Sequence, residues 1–143
     1  MKIATLNVRG IASPHRFQES FALLNNFHID ILLLQETNLS LVGKHPIDDF
    51  DIEGIYCPCI SRWSGVTIAY RKSAPFTLID SQELVQGSLM RADFHWNDAT
   101  LILYNIHMPK SDLVALDLIA KLNQNLLSIP PDSLVCGRDF NCT

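Results

Sequence analysis

An α/β fold is predicted from three features of the 143-residue sequence. Two segments, residues 2–36 and 100–141, have strand, helix, strand form. The stretch between them breaks into short strand-like runs separated by turn-forming residues. A composition that is 48% hydrophobic and 18% charged can fill one core, so the chain reads as one domain's worth of sequence.

The first strand is expected over residues 2–8, followed by Gly10 and by Ser13-Pro14, where Ser can cap a helix and Pro fits its first turn. Phe17, Phe21, Leu24 and Phe27 then recur at helical spacing and predict one apolar stripe ending near His28. The unbroken run Ile31-Leu32-Leu33-Leu34 suits a strand buried on both faces. Antiparallel strands follow at about residues 50–58, 65–72, 76–85, 88–97 and 100–107, with turns at Ser64-Gly65, Gln86-Gly87 and Asn97-Asp98. From Ser111 a second helix carries Leu113, Leu116, Ile119, Leu122 and Leu126 on or near one face, and Pro130-Pro131 stops it. Leu134-Val135-Cys136 opens a last strand running into Asp139-Phe140-Asn141. In each outer unit the crossover makes the two strands parallel, and their C-terminal ends then share an edge.

The formal net charge of −4 argues against a module that grips nucleic acid by bulk electrostatics. A cleavage site remains compatible with it, since carboxylates hold metals and local bases such as Arg9, Arg62, Arg71, Lys72 and Lys110 can meet phosphates. No secretory leader or apolar run of membrane-spanning length is evident, so an intracellular protein without membrane partners is expected. Cys57, Cys59, Cys136 and Cys142 lack zinc-site spacing and read as free thiols. His15, His28, His45 and His95 show no pairing at metal-ligand spacing and read as structural or exposed.

Polar residues of ligand or acid–base type end all four strands of the two outer units: Asn7, Glu36, His107, and Asp139 with Asn141. In Asp139-Phe140-Asn141 the two-residue period sets both polar side chains on one face. Such a set suits phosphodiester hydrolysis. Mg²⁺ needs few carboxylates, so Glu36 with help from Asn7 can hold it. Asp139 can orient or deprotonate water, Asn141 can bond the phosphate or the metal shell, and His107 can donate to a phosphate oxygen or pass a proton. Spacing alone also allows plainer roles. Asn7 could be a turn cap before Gly10, Glu36 a solvated strand end, His107 a satisfied interior histidine, and Asp139 with Asn141 an Asx turn.

These residues carry a resemblance. Lys2-Ile3-Ala4-Thr5-Leu6-Asn7-Val8-Arg9-Gly10, Leu33-Leu34-Gln35-Glu36-Thr37, Gly65-Val66-Thr67-Ile68-Ala69-Tyr70, Asn105-Ile106-His107-Met108-Pro109 and Gly137-Arg138-Asp139-Phe140-Asn141-Cys142 resemble, in order and spacing, the motifs of the endonuclease/exonuclease/phosphatase superfamily. Asn-Val-Arg-Gly and Asp-Phe-Asn-Cys-Thr look most like the endonucleases of LINE-type (non-LTR) retrotransposons. The resemblance implies a four-layer α/β/β/α sandwich with mixed sheets, deoxyribonuclease-like. It also implies Mg²⁺, with Mn²⁺ as an alternative, and DNA as the substrate to be nicked. Glu36 would be the principal metal ligand and Asn7 an organiser of the metal site. A parent protein of this kind is nuclear and carries a reverse transcriptase.

The chain departs from the pattern at three places: His107 stands where LINE and repair branches carry Tyr, though deoxyribonuclease-like branches use His; Lys110 replaces an Asn; Arg138 replaces a Gly before Asp139. By the resemblance, residues 1–143 are the N-terminal portion of a single domain, whose C-terminal half supplies another Asp and a Ser-Asp-His segment. The expectation is then little or no activity from these 143 residues by themselves, with apolar surface and strand edges left uncovered. Two other readings compete with a DNA endonuclease: another phosphoesterase of the superfamily, such as a phosphoinositide phosphatase, sphingomyelinase or deadenylase, and a non-enzymatic retroelement remnant.

Overall fold

A computed structural model describes residues 1–130 and 133–136, and Asp139 and Asn141 lie outside them. The elements run β1 (Ile3–Asn7), α1 (Pro14–Asn26), β2 (Ile31–Gln35), β3 (Ile52–Cys57), β4 (Val66–Arg71), β5 (Phe76–Val85), β6 (Leu89–Trp96), β7 (Ala99–Ile106), α2 (Asp112–Leu126) and β8 (Leu134–Cys136). They form two four-stranded sheets, ordered β1-β2-β4-β3 and β5-β6-β7-β8. Both are mixed: β1 with β2 and β7 with β8 are parallel, as expected of strand–helix–strand units, and the remaining pairs are antiparallel.

Alternation along the strands builds the layers. Ile31 and Leu33 of β2, Val66, Ile68 and Tyr70 of β4, and Met90, Phe94, Leu101 and Leu103 of the second sheet interlock as the core between the sheets. Leu32, Leu34 and Ala69 point the other way, onto Phe17, Phe21 and Leu24 of α1. Ile102, Tyr104 and Ile106 do the same on the second sheet, onto Leu118 of α2. The result is the expected α/β/β/α order of layers. Among the described residues no helix is long and apolar enough to cross a membrane.

Both helices begin where expected, yet neither Ser13 nor Ser111 makes a side-chain cap bond at its N-cap position. Phe27, assigned to the α1 stripe, instead ends the helix and is 57% exposed, while Ser20 is buried. The larger correction concerns α2. Its buried residue is Leu118, with Leu122 packed alongside, whereas Leu113, Leu116, Ile119 and Leu126 are exposed. The face that packs carries the polar latch as well: Arg91 forks onto Asp93 at 2.6 and 2.8 Å and reaches Asn125 of α2 at 2.8 Å, and the Tyr104 hydroxyl donates to the same Asn125 Oδ1. α2 is apolar around much of its circumference, so periodicity could not select the face that docks.

Candidate active site

The C-terminal ends of β2 and β7 approach each other across the two sheets. Two buried amides make the junction. Gln35, 1% exposed, donates from Nε2 to Asn105 Oδ1 at 2.8 Å, and also contacts Thr5 Oγ1 at 3.0 Å. Asn105, fully buried, donates from Nδ2 to the carbonyls of Leu34 at 3.0 Å and Thr67 at 2.8 Å. Polar groups this deep persist because their partners are fixed, and together they pin three strands of one sheet to β7 of the other. In the sequence this pair is marked only by an Asn inside the apolar run Leu101-Ile102-Leu103-Tyr104-Asn105-Ile106.

Glu36 and His107 stand directly above that bridge. By strict alternation Glu36 would follow Leu34 onto the α1 side, but its φ of 53° turns the chain out of the strand. An L residue there costs about 1–2 kcal/mol. Glu36 Oε1 then lies 3.1 Å from His107 Nε2, with side chains 17% and 8% exposed. An ionised carboxylate only accepts, so the ring Nε2–H is the donor. The His107 backbone N–H is bound to the Ser88 carbonyl at 2.8 Å. Glu36 is therefore no solvated strand end.

Asn7 ends β1, opposite Gln35 in the β1–β2 register. The two strands stay joined past their ends, through Val8 N–H to the Gln35 carbonyl at 2.9 Å and Gly10 N–H to the Glu36 carbonyl at 2.7 Å. Its Oδ1 accepts from Arg9 N–H at 3.2 Å, so Asn7 also serves as the turn residue that its neighbours suggest. Of the sequence-predicted set, Glu36 and His107 are brought into contact and Asn7 ends the strand paired with β2, while Asp139 and Asn141 fall outside the described residues.

Left-handed backbone concentrates at this end of the molecule: Arg9, Gly10, Glu36, Asn38, Trp63, Gly65 and Gly87 all have positive φ, leaving only His28 and Asn97 elsewhere among the described residues. Gly65 is required twice over, by its φ of 95° and because a Cβ would sit 2.6 Å from Thr37 Oγ1. Backbone strain of this kind clusters where loops must aim side chains.

A cleft of about 310 Å³ opens at the pair, lined by Glu36, His107, Trp63, Arg62, Lys110 and Val114 among others. A larger hollow, about 680 Å³, lies between α1 and the 47–52 segment. Its carboxylates hold the structure together: Asp49 is bonded to Asn25, and Asp51 to Ser73 and Arg71. These contacts hold both carboxyls below the usual range, chiefly through Asn25 for Asp49 and Ser73 for Asp51. Arg71, a candidate phosphate contact by sequence, is committed to Asp51, Asn25 and the Leu24 carbonyl. Arg62 and Lys110 do reach the smaller cleft.

The donor set at Glu36 fits a hard divalent cation. It offers one carboxylate, and Mg²⁺ binds through one or two carboxylates while keeping waters or phosphate oxygens. Among the described residues no group of three or more His, Cys, Asp or Glu gathers as an all-protein cage. The Cys57 thiol accepts from Gly87 N–H at 3.2 Å, and burial pushes it up to about 12.

Solved structures share this architecture. The Xenopus laevis APE2 catalytic domain superposes with a TM-score of 0.69 at 16% identity, covering 100% of this chain and 59% of its own. D. rerio TDP2, complexed with a single-strand DNA product, gives 0.68 at 19% identity, covering 96% and 61%. An AP endonuclease from Archaeoglobus fulgidus gives 0.66 at 22% identity, covering 96% and 56%. The chain thus spans about three fifths of the length of these three structures. No curated protein matches it significantly. The model of the Endonuclease/Exonuclease/phosphatase family matches residues 4–143, and with that match over nearly every residue, including the ends of β2 and β7 where Glu36 and His107 meet, the chain belongs to the Endonuclease/Exonuclease/phosphatase family.

Proposed function

We propose that these residues are the metal-binding half of a Mg²⁺-dependent DNA endonuclease, a nicking enzyme of the LINE retrotransposon type acting in the nucleus. The observation that carries the reading is Glu36, turned out of its strand by a left-handed φ and held 3.1 Å from His107 at a cleft reached by Arg62 and Lys110. Held there, Mg²⁺, or Mn²⁺ in its place, would polarise the phosphoryl oxygen and stabilise the leaving oxygen. Glu36 is the ligand that holds the ion, and Asn7 belongs to the network around it. A carboxylate has more acceptor sites than one histidine uses, so the contact with His107 orients Glu36 without exhausting it. His107, fixed through its backbone on Ser88, presents its ring to a phosphate oxygen. Asp139 is assigned to the attacking water and Asn141 to the phosphate or the metal shell.

Support for DNA as substrate comes from the family and from the D. rerio TDP2 complex with single-strand DNA product. The LINE assignment rests on the wording of the Asn7 and Asp139 motifs. Nicking of supercoiled plasmid by the whole protein is expected to require Mg²⁺, to stop with EDTA, and to fall at least ~100-fold in Glu36→Gln. Undiminished nicking in a folded Glu36→Gln protein would refute the assignment. The 143 residues alone are expected to nick weakly or not at all.

A further inference from the structure

The cleft beside Glu36 has a second wall that hydrolysis at a phosphate does not use. The loop joining β3 to β4 is tied at several points: Ser64 Oγ accepts from Ile60 N–H at 3.1 Å and Ser61 N–H at 3.2 Å, and donates to the Ser61 carbonyl at 2.8 Å. Gly65 N–H bonds the Gly87 carbonyl at 2.8 Å, and Cys59 N–H the Leu39 carbonyl at 2.8 Å. In this braced loop Trp63 has a φ of 67° and 43% of its surface exposed. A bulky aromatic in left-handed backbone is uncommon, and burial of its ring does not explain it. The Arg62 guanidinium lies 4.8 Å from the Trp63 ring centroid. Ile60 and Val114, 61% and 40% exposed, add apolar surface at the same cleft, and Lys110 adds a cation.

Flat aromatic and guanidinium surfaces beside cations are what a base with its phosphate requires, because bases stack on such planes while Lys and Arg meet the backbone. We propose that this cleft is a nucleobase subsite: Trp63, braced by Arg62, stacks the base of a nucleotide adjoining the phosphate at Glu36, so that DNA with an unstacked or single-stranded base is the favoured ligand. The proposal rests on the reading of Glu36 and His107 as the phosphate site, and sets which DNA reaches it. The volume of about 310 Å³ suits a small planar ligand. A duplex presents its bases already stacked on one another and leaves Trp63 nothing to cover.

The test is binding without metal, which separates it from cleavage. Anisotropy titrations in EDTA would compare a labelled twelve-nucleotide single strand with a twelve-unit sugar-phosphate chain bearing no bases. The intact strand is expected to bind about tenfold tighter. Trp63→Ala is expected to erase that difference and Trp63→Phe to keep part of it, both with unchanged far-UV circular dichroism. Trp96→Phe leaves Trp63 as the remaining tryptophan of residues 1–143 and gives a readout that needs no loop variant: the intact strand should quench its emission, and the baseless chain or a blunt duplex should not. Equal binding of the two strands, or a base preference that survives in a folded Trp63→Ala, would overturn the subsite. Base-dependent quenching in a whole protein that never nicks DNA would instead uphold the subsite and refute the catalytic reading.

Discussion

The two helices cover equivalent outer faces of the two sheets, but they do so differently. α1 seals its sheet with Phe17, Phe21 and Leu24, all essentially inaccessible to solvent, each packed on Leu32, Leu34 or their neighbours. α2 meets its sheet through Leu118 and Leu122 and a polar latch at Asn125, while Leu113, Leu116, Ile119 and Leu127 are exposed. Both helices are comparably regular in sequence. A helix with one apolar stripe announces its docking face; a helix apolar on several sides announces only that it is a helix. The sheet beneath, through Tyr104 and Arg91, makes the choice.

Four measurements sharpen or break that contrast. Phe21→Ala should cost the most, about 3–5 kcal/mol in urea unfolding, because it removes a ring that is 1% exposed; a loss under about 1 kcal/mol would mean that α1 does not seal the first sheet. Asn105→Ala, at the junction between the sheets, should cost about 1–3 kcal/mol by stranding the Gln35 amide, and tests whether the sheets are held by polar pairing as well as by their core. Asp51 provides a pH-dependent case on the α1 side. Its carboxyl is held below the ordinary aspartate value of 3.8, first by the Ser73 hydroxyl and then by Arg71, so its contribution is present above 3.8 and is lost as pH falls through the lower folded value. The Tm difference between wild type and Asp51→Asn should accordingly shrink on acidification; a difference that widens would contradict the assignment. Leu116→Ser, on the exposed side of α2, should change stability by no more than about 0.5 kcal/mol, and a larger loss would show that this face is packed after all.

The strands and helices were legible in order and to within a few residues, because each carries its own period and its own stop: Gly10 and Ser13-Pro14 before α1, Gln86-Gly87 and Asn97-Asp98 between strands, Pro130 after α2. Parallel pairing within the outer units was legible for the same reason, since a helix-length crossover reverses the chain twice. Of the site, Glu36 and His107 were visible as polar residues ending apolar strands. Gln35 and Asn105 were not assigned a part, since a buried amide is recognised by its partners, and these come from opposite sheets. Arg71 looked as available as Arg62; only the fold shows one bound to Asp51 and the other lying over Trp63.

What the sequence determined by itself is therefore local: the elements, their faces where one stripe is clear, and which residues carry chemistry. What tertiary structure decided is partition and encounter. The strands of the middle stretch read alike, yet β3 and β4 join β1 and β2 while β5 and β6 join β7. That division brings Glu36 within 3.1 Å of His107 across 71 residues of chain. The physical reason is that periodicity records what one strand presents to each side, whereas a contact between sheets depends on which side another strand has been given to cover.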